Sequence, residues 1–276
     1  MIRIPFVKMH GAANDFVVVD HREPFLPEPS DGLFRRLCDR RRGVGADGVL
    51  LLERDPELDF AMRYHNADGG RAEYCGNGAR CLARFALELG LGRDGAVRFR
   101  SGAGVQEARR GAGGAIELHF GRVASPGAPE TLEAAGRTFT GRAFLVGVPH
   151  FVVEVPQVGP VRVGEWGAAL RRHGRFAPAG ANVDFVARGS AADGPGGGRV
   201  AMRTYERGVE AETLACGSGA IASALWAAGE GVGSPVEVLT AGGDVLVVSF
   251  EALAGGYDVR LSGAAEVAFS GTWEQP

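Results

Sequence analysis

A chain of 276 residues, 45% hydrophobic and 23% charged, has the composition of a globular protein long enough for two modest domains. Its formal charge of −3 excludes a general nucleic-acid binder, and no run of 18 apolar residues exists to span a membrane. Among 30 cationic residues Lys8 is the single lysine, so Schiff-base chemistry has one candidate. The start, MIRIPFVKMHG, lacks the apolar stretch and cleavage site of a signal peptide, and a cytoplasmic protein is expected.

In chain order, short strands are predicted at 16–20, 48–53, 96–100, 116–120, 151–155, 182–188, 236–239, 244–250 and 257–261, separated by turn residues. An amphipathic helix is expected from Gly32 to Arg42, with its arginines on a solvated face, and another around Trp166 to His173. Two further helices, 75–90 and 216–229, each begin Cys-Gly-x-Gly and end near a glycine. The second carries almost no charge and should be buried nearly all round. The stretch 121–130 reads as a domain boundary, and 187–199 as a flexible surface loop.

The two Cys-Gly-x-Gly helices lie half a chain apart. Ala61-Met62-Arg63-Tyr64 precedes the first and Ala201-Met202-Arg203-Thr204-Tyr205 the second, at nearly the same distance from the cysteine. Within the helices Cys75, Gly76, Gly78 and Ala79 coincide with Cys216, Gly217, Gly219 and Ala220. A duplicated domain is implied.

Four cysteines, at 38, 75, 81 and 216, contain no C-x-x-C pair, which excludes a zinc ribbon or a thioredoxin-type dithiol, and no metal site is expected. Cys38 and Cys81 sit in apolar helical patterns and read as core. Cys75 and Cys216 differ because a helix N-terminus offers free N–H groups and a dipole favouring negative charge, so a thiol there should ionise more readily than the free value of about 8.5. Glycines at 76, 78, 217 and 219 let a ligand approach that backbone. Two such thiols related by duplication suit an acid and a base on opposite faces of one carbon, which is stereoinversion.

The motifs KMHGAANDF (8–16), GVGADG (43–48), NADG (66–69), CGNGARC (75–81), ANVDF (181–185), ERG (206–208) and ACGSGA (215–220) together resemble the diaminopimelate epimerase family across the chain. The resemblance implies an α+β fold of two pseudo-symmetric domains, each a mixed sheet around a central helix. One domain would be 1–121 with a returning strand 263–276, the other 122–262, with the active site in the cleft between them. It implies interconversion of LL- and meso-diaminopimelate without pyridoxal phosphate or any other cofactor. Cys75 and Cys216 match the catalytic pair, Gly76-Asn77 and Gly217-Ser218 the cradle for the α-carboxylate. Asn14, Asn66, Asn182, Glu206 and Arg207 match substrate-binding positions. His150 stands behind them, and Lys8 has no catalytic role.

One position departs. The family usually shows Asn-Pro-His where this chain has Val148-Pro149-His150, which keeps open a racemase of another amino acid, such as histidine or proline, on the same fold. Partners are then a small amino-acid substrate and, as the other candidate, a second copy of the chain. Gly43 to Gly48 spells G-x-G-x-x-G, but a helical segment precedes it and a strand follows, the reverse of a dinucleotide fingerprint.

Overall fold

The computed structural model describes residues 2–27, 30–72, 74–189 and 198–275. The chain forms two compact units, Met1–His119 with Gly263–Pro276, and Phe120–Ser262.

The first unit contains β1 (Ile2–Gly11), β2 (Asn14–Asp20), α1 (Asp31–Cys38), β3 (Gly48–Glu53), β4 (Phe60–Asn66), β5 (Arg71–Ala72), α2 (Gly76–Glu88), β6 (Ala96–Ser101), β7 (Gly104–Arg110) and the start of β8 (Ile116–Ala124). The second continues with β9 (Glu130–Ala134), β10 (Arg137–Val146), β11 (Val148–Glu154), α3 (Ala168–Arg171), β12 (Asn182–Arg188), β13 (Gly198–Glu206), β14 (Ala211–Thr213), α4 (Gly217–Gly229), β15 (Val236–Leu239), β16 (Val245–Leu253) and β17 (Gly256–Gly263). The chain then returns to the first unit as β18 (Glu266–Gln275), antiparallel to β1.

Duplication is written in the pairing itself. In the first unit β1 and β2 are antiparallel, β2 and β3 parallel, β3 and β4 antiparallel, and β4 meets β5 antiparallel and β6 parallel. In the second unit β10 to β15 repeat that sequence of directions: antiparallel, parallel, antiparallel, then β14 antiparallel and β15 parallel. The AMRY and AMRTY motifs occupy the equivalent strands β4 and β13.

Each unit wraps its sheet around one helix. Met9, Phe16, Leu50, Phe60 and Phe99 pack on Ala79, Leu82, Ala83 and Ala86 of α2, while a second apolar cluster beneath α1 covers the other face with Phe34, Leu37, Val17 and Val49. Residues Gly219 to Ala227 of α4 are all buried, as its lack of charge implied. Full burial of one such Phe or Leu contributes about 1.5–3 kcal/mol.

Three local expectations need correction. Helix α1 stops at Cys38 rather than running to Arg42, because Asp39 is extended and its carboxylate accepts the N–H groups of Arg41 and Arg42 in a turn. The second peripheral helix starts early, as a π-turn at Val163–Gly167, and ends at Arg171. There a side chain at Gly167 would strike Tyr205, with a Cβ only 2.4 Å from that residue's Cβ, which holds the turn close against β13. The loop expected over 187–199 is strand at both ends, and its middle, 190–197, lies outside the described residues.

Candidate active site

Cys75 and Cys216 are the N-cap residues of α2 and α4, with near-identical backbone angles of φ −144°, ψ 117° and φ −129°, ψ 114°. Each carbonyl accepts the first helical hydrogen bond, from Ala79 at 2.8 Å and Ala220 at 2.9 Å. That leaves the amides of Gly76, Asn77 and Gly78, and of Gly217, Ser218 and Gly219, without helical partners. The four glycines divide by purpose. Cβ atoms on Gly78 and Gly219 would lie 3.1 Å from Leu50 Cδ2 and 2.5 Å from Asp184 Oδ1, so these two allow close packing. A Cβ on Gly217 would lie 3.2 Å from Leu261 Cδ2, whereas one on Gly76 would meet nothing nearer than 4.0 Å, so the space beside Gly76 is open.

Around Cys75 the groups are amides and ion pairs. Its Sγ lies 3.5 Å from Asn14 Oδ1, which also accepts from Asn77 Nδ2 at 3.2 Å. Asn77 in turn accepts from Arg80 Nη2 at 2.9 Å, and Arg80, fully buried, reaches the Ala264 carbonyl at 3.5 Å. Asn14 begins β2 directly after a two-residue hairpin in which Ala12 and Ala13 hold φ of 55° and 61°. Behind it, Asn14 Nδ2 donates to Asp47 Oδ2 at 2.8 Å, Arg40 bridges Asp47 and Asp15, and Lys8 donates to Asp15 and to the Gly45 carbonyl. Burial alone would raise the Asp15 carboxyl, but the Arg40 and Lys8 bonds reverse it and hold it well below the usual range. Arg40 therefore lies beyond the end of α1 and, though exposed as expected, is tied into an ion-pair network, and Lys8 is a buried anchor. The GVGADG segment supplies the Gly45 carbonyl and Asp47.

Around Cys216 the groups are a buried acid and imidazole. Cys216 Sγ lies 3.5 Å from Ser218 Oγ, and His150 Nε2 lies 2.9 Å from the same oxygen and 3.2 Å from Asn182 Nδ2. His150 Nδ1 is 2.7 Å from Asp184 Oδ2, and Thr204 donates to Asp184 Oδ1 at 2.7 Å. A carboxylate accepts only, so Nδ1 carries the proton and Nε2 is the acceptor for Ser218 and Asn182. Both His150 and Asp184 are fully buried. Burial, with Glu206 and Asp184 nearby, pushes the Cys216 thiol up, and the Ser218 hydroxyl and Gly219 amide only partly oppose it. The expected lowering is thus overturned for Cys216: desolvation outweighs the helix N-terminus.

Asn182 accepts the Arg207 N–H at 2.8 Å. Among the described residues nothing pairs with the Arg207 guanidinium. Burial raises the Glu206 carboxyl, with Asp184 adding to it. Asn66 is exposed at the end of β4, opposite Gly48 in register, at the same sheet end as Asn14. Val148 pairs with Val146 across the tight turn at Gly147, half-buried. Cys38 and Cys81 are buried, and burial pushes both thiols up to about 12. All four cysteines are free thiols. Sequence reasoning missed Asp15, Asp47, Asp184, Thr204 and Arg80; four of these lie inside the quoted family motifs, and Thr204 lies in the repeated Ala201–Tyr205 segment.

A model of the diaminopimelate epimerase family matches residues 6–123 and 142–253. The chain belongs to that family. The diaminopimelate epimerase of Aquifex aeolicus (strain VF5) is 42% identical over 259 residues, covering 89% of each chain. Two solved structures share the fold. A phenazine biosynthesis protein of the PhzF family from Bacillus anthracis aligns over all of both chains with TM-score 0.72 and 14% identity. A hydroxyproline epimerase from Agrobacterium vitis has TM-score 0.68 and 19% identity, covering 98% of this chain and 92% of that one. Among the described residues no helix is long and apolar enough to cross a membrane, and no three His, Cys, Asp or Glu side chains could together hold a metal ion.

Proposed function

We propose that this member of the diaminopimelate epimerase family interconverts LL- and meso-diaminopimelate with Cys75 and Cys216 as the two proton carriers. The observation that carries the proposal is the matched pair of cysteine N-caps, each with free helix amides beside it. In this reading the α-carboxylate lies among the amides of Gly76-Asn77 and Gly217-Ser218, where the negative charge that develops on deprotonating the α-carbon is stabilised. The Cys75 thiolate removes the α-proton, and the electron pair left on carbon takes a proton from the Cys216 thiol on the opposite face. Cys75 ends as thiol and Cys216 as thiolate, poised for the reverse reaction.

Burial favours the Cys216 thiol at rest, which makes Cys216 the first donor and leaves Cys75 as the first base. The unpaired Arg207 guanidinium takes the distal carboxylate bidentately. Asn14, Asn66, Asn182 and Glu206 supply acceptors for the two ammonium groups.

Incubation of LL-diaminopimelate in deuterated water, without pyridoxal phosphate, should give meso product carrying one deuterium while unreacted substrate stays undeuterated early on. Exchange with retention, or turnover of proline or histidine in place of diaminopimelate, overturns the reading. Cys75→Ala and Cys216→Ala should each abolish epimerisation, a loss of at least about a thousandfold.

A further inference from the structure

The geometry points to Asp47 as a positioning residue that fixes the Asn14 side-chain amide with its carbonyl toward Cys75. This deepens the proposed reading of Asn14 and rests on it for its catalytic meaning, though not for its test.

An amide has a donor end and an acceptor end, and their orientation follows from the partners. Asp47 Oδ2 lies 2.8 Å from Asn14 Nδ2 and already accepts the Asp15 N–H at 3.2 Å. Its other oxygen takes Arg40 Nη2 at 2.8 Å, and Arg40 is itself tied to Asp15, whose second partner is Lys8. A carboxylate held this way can receive only the NH2 end of Asn14. The carbonyl end must therefore face Cys75 Sγ at 3.5 Å and Asn77 Nδ2 at 3.2 Å.

Two consequences follow. Facing a carbonyl oxygen, the Cys75 sulfur is stabilised as the S–H donor and not as thiolate. Only a donor can take that carbonyl from the thiol, so Asn14 is preset for the ammonium of an amino acid and against its carboxylate. Arrival of the ammonium removes the acceptor from the sulfur and brings a positive charge beside it, releasing Cys75 to ionise when substrate is present. Among the described residues, the charged and titratable groups around the sulfur include Tyr74 on its own segment, Arg80 and Cys81 on α2, and Asp47 behind Asn14.

The test uses the whole chain carrying Cys216→Ala and reads iodoacetamide alkylation of Cys75 against pH, located by mass, without substrate. Cys38 and Cys81 are buried and stay silent. Asp47→Ala frees the amide to turn its NH2 to the sulfur, and the alkylation midpoint should fall by about one unit. Asp47→Asn retains an oxygen for Asn14 and should stay near the parent value. In an Asn14→Ala background Asp47→Ala should add nothing further. An unchanged midpoint in Asp47→Ala, or a shift that persists without Asn14, overturns the proposal. Should Asp47→Ala fail to fold, Asp47→Ser, which keeps an acceptor for the Asp15 N–H, carries the same expectation. Because no substrate is used, a failure here is separate from a failure to epimerise diaminopimelate.

Discussion

Cys75 and Cys216 stand at equivalent places on duplicated helices, yet their surroundings are opposites. Cys75 is half-exposed and faces a carboxamide braced by Asp47, Arg40, Asp15 and Lys8, an ion-pair network reaching the surface. Cys216 is 6% exposed and backed by a hydroxyl, an imidazole and a carboxylate in a line. Duplication has kept the backbone, the N-cap angles and the free amides. What differs is the means of managing a proton: a partly exposed thiol has water within reach, whereas a buried one needs a polar chain beside it.

The largest test of that contrast is Asp184→Asn. An amide opposite His150 Nδ1 no longer enforces the tautomer with Nε2 as acceptor, and kcat should fall by about a hundredfold with little change in KM. A pH-rate profile that keeps its shape and height would show that His150 needs no such partner.

Next is a paired glycine experiment. Gly219→Ala places a methyl 2.5 Å from the Asp184 carboxylate, where nothing can move without breaking the Thr204 and His150 bonds, and should cost about 1–3 kcal/mol in denaturant unfolding. Gly78→Ala meets Leu50 Cδ2 at 3.1 Å, with Leu50 Cδ1 and Phe16 Cζ at 3.4 Å, side-chain ends that can give, and the gain of a helix-favouring residue should leave stability within about 1 kcal/mol of the parent. Equal losses in the two would break the comparison.

The two sites should also respond oppositely to pH. Asp15 is held below its unfolded value, so its contribution is complete above about pH 4 and is lost as acid protonates it. Glu206 is raised, so its contribution is complete only below about pH 4 and is lost as pH rises through its folded value. Thermal melts should show Asp15→Asn lowering Tm at pH 7 and flattening the acid limb. Glu206→Gln should raise Tm at pH 7 and match the parent at pH 4. The smallest expected effect is Ala13→Gly, which relieves a left-handed alanine at φ 61° and should stabilise by about 1 kcal/mol. A loss instead would mean the turn beside Asn14 is not strained.

Much of this was legible in sequence. The strands at Gly48–Glu53, Asn182–Arg188 and Val236–Leu239 fall where β-branched and leucine runs meet turn residues. Other elements hid for physical reasons. Strand β1 went unread because its hairpin turns on Ala12-Ala13, with none of the Gly or Asn that advertise positive φ. Strands β7 and β9 are polar on their exposed faces, and β10 is interrupted by Gly141, whose missing side chain admits the Val152 carbonyl.

By itself the sequence determined the duplication, the family and the two thiols at helix starts, because these rest on local residue order. The tertiary structure decided how each thiol is treated. Desolvation of Cys216, the carbonyl that Asn14 turns to Cys75, and the anchoring of Lys8 to Asp15 all depend on residues brought together by sheet register and packing. Charge and burial are properties of that assembled neighbourhood, and no spacing along the chain expresses them.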